Sequence, residues 1–586
     1  MSKWMVSSKK CDFKQIGEEL GIDQVVVRIM RNRDMTDISQ MKSFLYGGEE
    51  LFHSYEYMKD VDKAVDILLD KIDENAKIRI IGDYDVDGIM STYILWKGLS
   101  KCGANVDTVI PHRVRDGYGI NTAFIEDAAK DGIDTVITCD NGIAASDACD
   151  LALEHGITCI ITDHHEIPYE MIDSKKRYIL PSAPAVIDPK QDDCMYPYKN
   201  ICGAVVALRV VEALFDAIGE LTDDLEELRE LAGFATVCDV MELKDENRVL
   251  VKNTLKNLKN SKNVGMRALI KVCGLEDRII SSHSIGFILG PCINATGRLD
   301  SADLSLELLQ CSTIEDAIVI ANELKMLNEN RKALTEQGLI KALKIIDDEH
   351  IFEQKVMVVY MPDLHESLAG IVAGRIKEKY KKPVFVITGT DKTLKGSARS
   401  IPAYHIYEAM TKISDLFEKF GGHAMAAGFS LPEENLDEFR KRINDNCSLN
   451  EDDYEEKIVI DVPMPMRYVT SSLIEQLSCL EPFGLGNEKP IFAEKDVELL
   501  SCRLMGSMQD MARFSVRTKD GFKAEMIVFR NANDMLFAIE KKYGSNALKE
   551  LMESRAKGIL MDVIYYPSIN EYQGRKTIQF VVGDYK

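Results

Sequence analysis

The sequence lacks the segments that would carry a chain into or across a membrane. No basic start followed by an apolar core opens it, because residues 1–10 are mostly polar and basic. The most apolar stretch, residues 201–219, is interrupted by Arg209, Glu212 and Asp216, which favours an amphipathic helix over a membrane span. We therefore expect a soluble, cytoplasmic protein with no membrane partner.

Paired cysteines are also missing. The chain has 14 cysteines, but none forms a Cys-x-x-Cys pair, and several, such as Cys139, Cys159 and Cys238, lie within apolar runs. Cysteine in such a run behaves as a small hydrophobic residue. We therefore expect neither a zinc ribbon nor a disulfide framework.

An excess of basic charge is absent as well. The net charge is −23, whereas a protein that coats nucleic acid generally would be basic. Part of the acidic excess lies in hydrophilic runs at 223–227 and 451–456. Binding to a nucleic acid would therefore have to come from a local basic groove.

The most informative segment that is present covers residues 78–88. An Ile-rich run ends in Asp83, Asp85 and Asp87, followed by glycine. Such a run predicts a buried strand of a parallel sheet, with the carboxylates at its C-terminal end, where open α/β sheets bind ligands. An EF-hand loop is excluded because its twelfth position, counted from Asp83, is Ile94 rather than glutamate. A solvated acidic turn remains the alternative.

Four further runs repeat the pattern. The runs at 135–142, 158–165 and 184–189 end in Asp-Asn-Gly, Asp-His-His and Asp-Pro, and the apolar run 234–241 contains Asp239. Helix-like segments between the first strands predict βαβ crossovers and therefore a parallel sheet. Aspartates at the same end of successive strands should converge on one edge of that sheet.

The ligand types suggest a chemistry for this edge. Carboxylates from three strands and one neutral imidazole would hold two divalent ions about 3.5–4 Å apart. Such a pair makes hydroxide from water, polarises a phosphoryl group and stabilises the leaving oxygen. Ligands dominated by oxygen suit Mn²⁺ or Mg²⁺ better than Zn²⁺.

The motifs together resemble the DHH phosphoesterase superfamily. The resemblance rests on Gly-Asp-Tyr-Asp-Val-Asp-Gly at 82–88, Cys-Asp-Asn-Gly at 139–142, Asp-His-His at 163–165 and Val-Cys-Asp-Val at 237–240. Motifs at 294–300, 396–400, 421–428 and 481–487 are similar to its RecJ branch. The resemblance covers residues 45–586. It implies an exonuclease specific for single-stranded DNA that degrades from the 5′ end in DNA repair and recombination.

The resemblance also implies roles for individual residues. The metal ligands would be Asp83, Asp85, Asp87, Asp140, His164 and Asp239. Of the catalytic pair, His165 would contact the scissile phosphate or orient a ligand, and Asp163 would fix its loop or orient His164. Asp188 precedes a proline, and an ordinary turn explains it equally well.

A second set of residues would bind the substrate strand. It comprises Arg298, Ser397, Arg399, Gly421, Gly422 and His423. A Gly-Gly-His loop lets backbone amides approach phosphate oxygens, and arginine matches phosphate with two hydrogen bonds. For each arginine, a structural salt bridge is the alternative.

The predicted architecture is α/β with several domains. A helical lead-in covers 1–50, a parallel-sheet DHH catalytic domain 51–311, and a connecting helix, with a possible break near Gly338, 312–349. A smaller α/β (DHH-associated) substrate-binding domain covers 350–447, and a C-terminal OB-like β-barrel that binds nucleic acid covers 457–586.

The sequence is compatible with three functions. We expect an exonuclease on single-stranded DNA that needs two divalent cations, Mn²⁺ or Mg²⁺. The resemblance allows a helicase and a single-strand-binding protein as partners of a monomer. One alternative is a phosphodiesterase of short oligoribonucleotides or signalling dinucleotides, which would need no barrel. The other is a non-catalytic replication scaffold, which would have lost metal ligands that are all retained here.

Overall fold

The computed structural model describes the chain except for residues 1, 114, 118, 173–174, 220–223, 300, 390–391, 507–508, 530 and 573. The chain forms two compact units: one covers 1–48, 455–483 and 487–586, and the larger one covers 49–454 and 484–486. Among the described residues, no helix combines the length and apolar character that a membrane crossing requires.

The first 48 residues contribute one strand and three helices to the smaller unit. These elements are β1 (Lys3–Val6), α1 (Phe13–Leu20), α2 (Gln24–Asn32) and α3 (Ile38–Tyr46). The helices begin where they do because Asp12, Asp23 and Asp37 each accept a hydrogen bond from a backbone amide of the first turn.

The first sheet of the larger unit is parallel, as predicted. The elements are α4 (Val61–Asp73), β2 (Lys77–Ile81), α5 (Val86–Lys101), β3 (Asn105–Val109), α6 (Thr122–Asp131), β4 (Thr135–Cys139), α7 (Ser146–Glu154), β5 (Thr158–Thr162), β6 (Tyr169–Ile172), β7 (Lys175–Tyr178) and β8 (Ala185–Ile187). The strand order is β3-β2-β4-β5-β8, and β6 and β7 form a separate two-stranded sheet. Alternate residues enter two cores, Ile80 and Ile137 on one face and Ile81 and Val136 on the other. Because both faces of this sheet are buried, every position of its strands favours an apolar residue, which explains the Ile-rich runs.

Helices complete this domain. They are α8 (Gly203–Ala217), α9 (Asp224–Cys238), α10 (Asp245–Asn257), α11 (Val264–Val272), α12 (Ser282–Ser284), a π-helical turn (Ile285–Leu289), α13 (Gly290–Leu299) and α14 (Asp303–Gln310). Helix α8 is almost entirely buried, so its amphipathic prediction is wrong. Its Arg209 tolerates burial because the guanidinium bonds to Glu246 at 2.6 Å and to the Tyr196 hydroxyl at 2.9 Å.

A single helix, α15 (Ile314–Asp348), leads to the second sheet. The break that the sequence suggested near Gly338 does not occur. A Cβ atom at Gly338 would lie 2.9 Å from Cδ1 of Leu364 and 3.5 Å from Cγ2 of Val372. The glycine therefore allows close packing against α15, which offsets its poor helix propensity of about 1 kcal/mol.

The second sheet is mixed. Its elements are β9 (Met357–Tyr360), α16 (Glu366–Tyr380), β10 (Val384–Thr388), β11 (Thr393–Arg399), α17 (Ile406–Thr411), β12 (Lys419–Gly422), β13 (Ala426–Pro432) and α18 (Leu436–Asp445). The order is β12-β13-β11-β10-β9, with only β9 and β10 parallel. One face packs on α15 and α16, and the other on α17 and α18.

The smaller unit contains the predicted barrel. Its elements are β14 (Lys457–Ile460), β15 (Val462–Pro463), α19 (Ser471–Ser478), β16 (Phe492–Met505), β17 (Met511–Arg517), β18 (Lys523–Val528), α20 (Ala532–Tyr543), α21 (Ser545–Met552), β19 (Leu560–Tyr572) and β20 (Arg575–Tyr585). Strands β16, β17, β18, β20 and β19 form a ring that pairing of β16 with β19 closes. Val26 and Ile29 of α2 share one core with Phe514 of the barrel, and β1 pairs with β14.

Candidate active site

Of the three aspartates that follow β2, Asp85 and Asp87 are fixed by backbone amides. Asp83 lies two residues after the strand and is 1% exposed. Asp85 caps α5, where its carboxylate accepts a hydrogen bond from the amide of Asp87 at 2.9 Å. The Asp87 carboxylate accepts from the amides of Gly203 at 2.6 Å and Ala204 at 2.9 Å, at the start of α8. Two helix N-termini therefore hold these carboxylates in place.

Asp140 and His164 come from the next two strands of the sheet. Asp140 follows β4 with a φ of 60°, and a Cβ on Gly203 would lie 2.7 Å from its own Cβ, so only glycine allows α8 to approach so closely. The Nε2 atom of His164, after β5, lies 3.0 Å from Oδ1 of Asp140 and 3.5 Å from Oδ2 of Asp87.

Asp239 reaches the same place from a helix. It directly follows α9, and its Oδ2 lies 3.8 Å from Nε2 of His164. Its side chain is 29% exposed, whereas those of Asp87 and Asp140 are almost fully buried. Asp239 therefore stands on the solvent side of the group.

The structure brings all six predicted metal ligands together. Asp83, Asp85 and Asp140 form one group of three, and Asp87, His164 and Asp239 form a second; within each, the ligand atoms lie within 4.8 Å of one another. A third group joins Asp140, His164 and His165. We call the six residues of the first two groups the acidic edge.

The electrostatics of the acidic edge call for a cation. Burial and neighbouring carboxylates raise the pKa values of Asp83, Asp85 and Asp140, and that of Asp239 rises to about 8 for the same reasons. Burial lowers the pKa of His164, so its ring is neutral near pH 7. Among the described residues, neither oxygen of Asp83 nor Nδ1 of His164 has a hydrogen-bond partner. Buried polar atoms without a partner and closely spaced carboxylate oxygens are both expected where divalent ions bind.

Asp163 orients His165 rather than the ring of His164. It accepts hydrogen bonds from the amides of Ile143 at 2.9 Å and His164 at 2.7 Å, which fix the loop, and from Nδ1 of His165 at 2.7 Å. Burial raises the pKa of Asp163, but the His165 contact lowers it overall. Burial lowers the pKa of His165, but the contact with Asp163 outweighs it and raises the value to about 9.

Asp188 lies at the end of β8 on the same edge. Its Oδ1 accepts from the amide of Lys190 at 2.7 Å, while Oδ2 is buried without a partner among the described residues. Burial, together with the charge of Asp163, raises the pKa of Asp188 to about 8. It forms a turn, as its proline suggested, and stands outside the three ligand groups.

A cleft of about 210 Å³ lies beside the acidic edge, within the larger unit. Its lining includes Tyr84, Arg113, Ser367, Lys395, Gly396 and Ser397. Tyr84 separates two aspartates of the acidic edge in the sequence and therefore borders both features. Arg298, which bonds to the lining residue Ser367, and Arg399, which is close enough to Arg113 to feel its charge, stand next to this lining. We call Arg113, Arg298, Ser397 and Arg399 the basic cleft.

Two half-buried arginines of the basic cleft bind main-chain carbonyls and, in the part of the chain that the structure describes, no side chain. Arg298 donates to the carbonyl of Ser367 at 3.0 Å, and Arg399 donates to that of Ala398 at 2.8 Å. Burial and the charge of Arg113 lower both pKa values, that of Arg298 to about 10. In the part of the chain that the structure describes, neither guanidinium forms an ion pair, which argues against the salt-bridge alternative.

Arg113 is a residue that the sequence interpretation missed. It follows β3, and its guanidinium lies 4.8 Å from the centroid of the Tyr84 ring. The signal was available, because a polar, glycine-containing loop at the carboxyl end of β3 lies on the same sheet edge as the aspartates.

The prediction of a Gly-Gly-His loop is wrong. Gly421 and Gly422 belong to β12, and the amide of His423 donates to the carbonyl of Ala426 at 2.8 Å, so the segment is a tight hairpin. A Cβ at Gly422 would lie 2.3 Å from that carbonyl, which explains the glycine there. Gly421 pairs with Gly428, which pairs with Ser397, and space is open above both glycines. The glycines thus clear one sheet face beside Ser397.

Models of known families match three parts of the chain. The DHH family N-terminal domain matches residues 77–236, the DHHA1 domain 353–449 and the RecJ OB domain 460–584. The first two ranges contain every residue of the acidic edge except Asp239 and every residue of the basic cleft except Arg298, and the third covers the barrel.

Two similar proteins that match most of this chain carry the same name. The single-stranded-DNA-specific exonuclease RecJ of Bacillus subtilis is 30% identical over 99% of this chain and 70% of its own length. The Escherichia coli protein of the same name is 31% identical over 90% of this chain and 91% of its own length.

A solved structure agrees with this assignment. RecJ of Thermus thermophilus, in complex with Mn²⁺, superposes with a TM-score of 0.82 at 26% identity, covering 100% of this chain and 79% of the other. The identity to the two full-length relatives, with coverage of more than two thirds of each, shows that the chain belongs to the RecJ family.

Proposed function

We propose that the chain is an exonuclease specific for single-stranded DNA, which uses two divalent cations to release nucleotides from the 5′ end in DNA repair and recombination. The observation that carries the proposal is the meeting of the acidic edge and the basic cleft at Tyr84. One feature collects carboxylates for cations, and the other collects arginines for phosphates. A phosphodiester requires both.

Each of the two ligand groups would hold one cation. Asp83, Asp85 and Asp140 would hold one ion, and Asp87, His164 and Asp239 the other. Bound there, the ions supply a hydroxide nucleophile and neutralise charge on the phosphoryl oxygens. The Mn²⁺ of the Thermus thermophilus relative, and a donor set rich in oxygen, support Mn²⁺ or Mg²⁺.

The protein's own groups would place the strand. Arg298 and Arg399 present guanidinium groups that lack carboxylate partners in the described part of the chain, so a phosphate would satisfy them. Asp163 holds Nδ1 of His165 and so fixes the orientation of its ring, which would stand beside a phosphate oxygen of the substrate. Gly421 and Gly428 leave room for a backbone to pass Ser397, whereas His423 would contribute from the hairpin end.

A polymer is favoured over the alternative substrate, a short oligoribonucleotide or dinucleotide. The closed barrel and its match to the RecJ OB domain over 460–584 support a second module that holds a single strand. All six ligand positions are occupied by Asp or His, which argues against a non-catalytic scaffold. A cytoplasmic monomer with helicase and single-strand-binding partners stays a prediction.

End-labelled substrates test the proposal. A 20-nucleotide DNA labelled at the 5′ end should release a labelled mononucleotide at once with Mn²⁺ or Mg²⁺, whereas the same strand labelled at the 3′ end should shorten stepwise. A complementary strand should protect the DNA, and a matched RNA tests the sugar preference. Release of the 3′ label first, or cleavage of dinucleotides alone, would refute the proposed activity.

A further inference from the structure

An accessible strip runs along the helix that carries Arg298. Between Gly290 and Arg298 only Pro291, Asn294 and Arg298 are not buried. Continued towards the N-terminus, the same spacing of three or four residues reaches Phe287 and then His283, both exposed. One face of this segment is therefore open from its beginning to Arg298.

The far end of the strip is an exposed aromatic pair. The rings of His283 and Phe287 are stacked, with centroids 4.7 Å apart and an interplanar angle of 21°. Phe287 is 67% exposed, so the ring contributes little to the core. It sits in the π-helical turn Ile285–Leu289, a geometry that is rare and frequent at functional sites.

Both ends of helix α13, which carries the Arg298 end of the strip, pack against the proposed active site. At one end, a Cβ on Gly290 would lie 2.6 Å from Sγ of Cys238, the residue before Asp239 of the acidic edge. At the other end, a Cβ on Gly297 would lie 2.4 Å from the carbonyl oxygen of Tyr84. Helix α13 therefore packs between Asp239 and the basic cleft, and its open face continues from a phosphate-binding arginine.

We propose that His283 and Phe287 form a stacking platform for a base of the substrate strand, a few nucleotides from the phosphate that Arg298 binds. The inference rests on the proposed function and names a further binding site for the same substrate. At 1.5 Å per residue, Phe287 lies about 16 Å along the helix from Arg298. That distance is longer than a dinucleotide can bridge, so the platform serves only longer strands.

Stacking is the interaction that such a pair can offer. Every base has an aromatic face, so one flat exposed ring holds any sequence, as an exonuclease requires. The nearby arginine would bind the backbone while the ring binds the base, a combination typical of proteins that hold single strands. Because the chain is acidic overall, contacts that do not depend on basic charge are valuable for retaining the strand.

The test compares two ring replacements in the full-length protein. Phe287→Leu keeps the apolar surface and removes the ring, whereas Phe287→Tyr keeps the ring. We expect Phe287→Leu to raise KM for a 20-nucleotide DNA about tenfold, within the range for loss of one stacked base. We expect Phe287→Tyr to match the wild type, and kcat/KM on a 5′-phosphorylated dinucleotide to be unchanged in both variants.

Abasic substrates locate the base. In a series of 20-nucleotide strands with one abasic position each, the wild type should bind one or two members more weakly, and Phe287→Leu should lose that sensitivity. Leu153→Ala in α7, where the side chain is similarly exposed (69%), is the surface control and should behave as the wild type.

Two failures are distinguishable. If the wild-type protein degrades single strands and Phe287→Leu has an unchanged KM and abasic profile, the platform is refuted and the ring serves another purpose, such as contact with a protein. If the wild-type protein does not degrade single strands, the proposed function and the platform fail together. An equal loss on the dinucleotide and the long strand would also overturn the platform, because it would indicate a general defect.

Discussion

The acidic edge and the basic cleft carry opposite charges but share one design. In each, like charges are crowded and withdrawn from water, so the pKa values of Asp140 and Asp239 rise and those of Arg298 and Arg399 fall. Such shifts oppose the charged state and cost stability. Binding of the opposite charge should therefore stabilise each region: cations would stabilise the acidic edge, and phosphate groups would stabilise the basic cleft.

The two regions differ in how they are held. The carboxylates of Asp85, Asp87 and Asp163 accept hydrogen bonds from backbone amides. These three residues lie at the ends of neighbouring strands and helices. The arginines come from a loop, a helix and a strand of the second sheet, and Arg298 and Arg399 each have a single main-chain contact within the described part of the chain. We infer a rigid acidic edge and a basic cleft that depends on tertiary assembly.

The largest effect should come from Asp140→Asn. Asparagine tolerates the positive φ of 60° at this position, so the backbone is kept while a buried charge is removed. We expect hydrolysis to fall about 10³-fold or more, because charge at the reacting phosphate is no longer balanced. The metal-free protein should melt at a higher temperature, since burial raises the pKa of Asp140 and charging it costs stability.

Asp150→Asn on α7 is the matched control, because that carboxylate is exposed. It should change neither the rate nor the melting temperature. If Asp140→Asn hydrolyses DNA near the wild-type rate with Mn²⁺ present, Asp140 is not a metal ligand, and the proposed difference between the two regions is wrong.

The next largest effect should come from Arg399→Ala in the basic cleft. We expect kcat/KM to fall about 10²–10³-fold, the usual loss for one contact with developing charge, while Mn²⁺ affinity measured by calorimetry stays the same. Arg375→Ala on α16, where the side chain is 59% exposed, serves as the control.

The chemistry of the 5′ end sharpens this prediction. If Arg399 anchors the terminal phosphate, its loss should matter more for 5′-phosphorylated strands than for strands with a 5′-hydroxyl. Equal losses on both would leave Arg399 as a contact to an internal phosphate. A parallel drop in Mn²⁺ affinity would show that the acidic edge and the basic cleft are not separable.

A smaller effect is expected at the glycines that clear the sheet face. A methyl group on Gly428 has open space around it and would stand beside Ser397, so Gly428→Ala should fold normally but obstruct the strand. We expect kcat/KM to fall about tenfold, equivalent to about 1.4 kcal/mol. Gly396→Ala is the opposite case: its Cβ would lie 2.2 Å from Cζ of Phe429, so it should lower the melting temperature. Unchanged kcat/KM in Gly428→Ala would place the strand elsewhere.

The contrast between the regions also explains what the sequence could predict. Each ligand of the acidic edge follows a short apolar run, and parallel strands bring their carboxyl ends together whatever the loops do. The basic cleft has no such rule. Arg113 meets Arg298 and Arg399 only because α15 and α16 pack against α13, and the sharing of one core by α2 and the barrel joins residues more than 400 positions apart. Periodicity within a window cannot report contacts of that range.

The glycines show a second reason. Gly-Gly-His at 421–423 suggested a phosphate loop, because glycine permits close approach and positive φ in many settings. In the structure, the same freedom serves a hairpin, where a Cβ at Gly422 would strike the carbonyl of Ala426. Likewise, Gly338 reads as a helix break but serves packing. The sequence shows that a glycine has conformational freedom, but the residues packed around it determine whether that freedom serves a loop, a hairpin or close packing.

The last prediction concerns stability and leaves the rate unchanged; it separates the acidic edge from other buried acids by their response to metal. Burial raises the pKa of Asp188 and Asp239 to about 8 and that of Glu230, in the middle of α9, to about 7. A carboxyl whose folded pKa is raised binds its proton more tightly in the folded state. Stability is therefore lost as pH rises from the ordinary carboxyl pKa towards these values.

We accordingly expect the metal-free protein to melt at progressively lower temperatures from pH 5 to pH 8, and Mn²⁺ to reverse most of that decline. Glu230 is 6% exposed, one of its oxygens has no partner among the described residues, and it lies outside the ligand groups. Glu230→Gln should therefore stabilise the protein at pH 8 by about 2 kcal/mol, with little gain at pH 5, and do so equally with and without Mn²⁺. A gain that disappears when Mn²⁺ is added would couple Glu230 to the metal ions. A melting temperature of the wild type that does not change with pH in the absence of metal would show that the acidic edge holds its protons no more tightly than the unfolded chain.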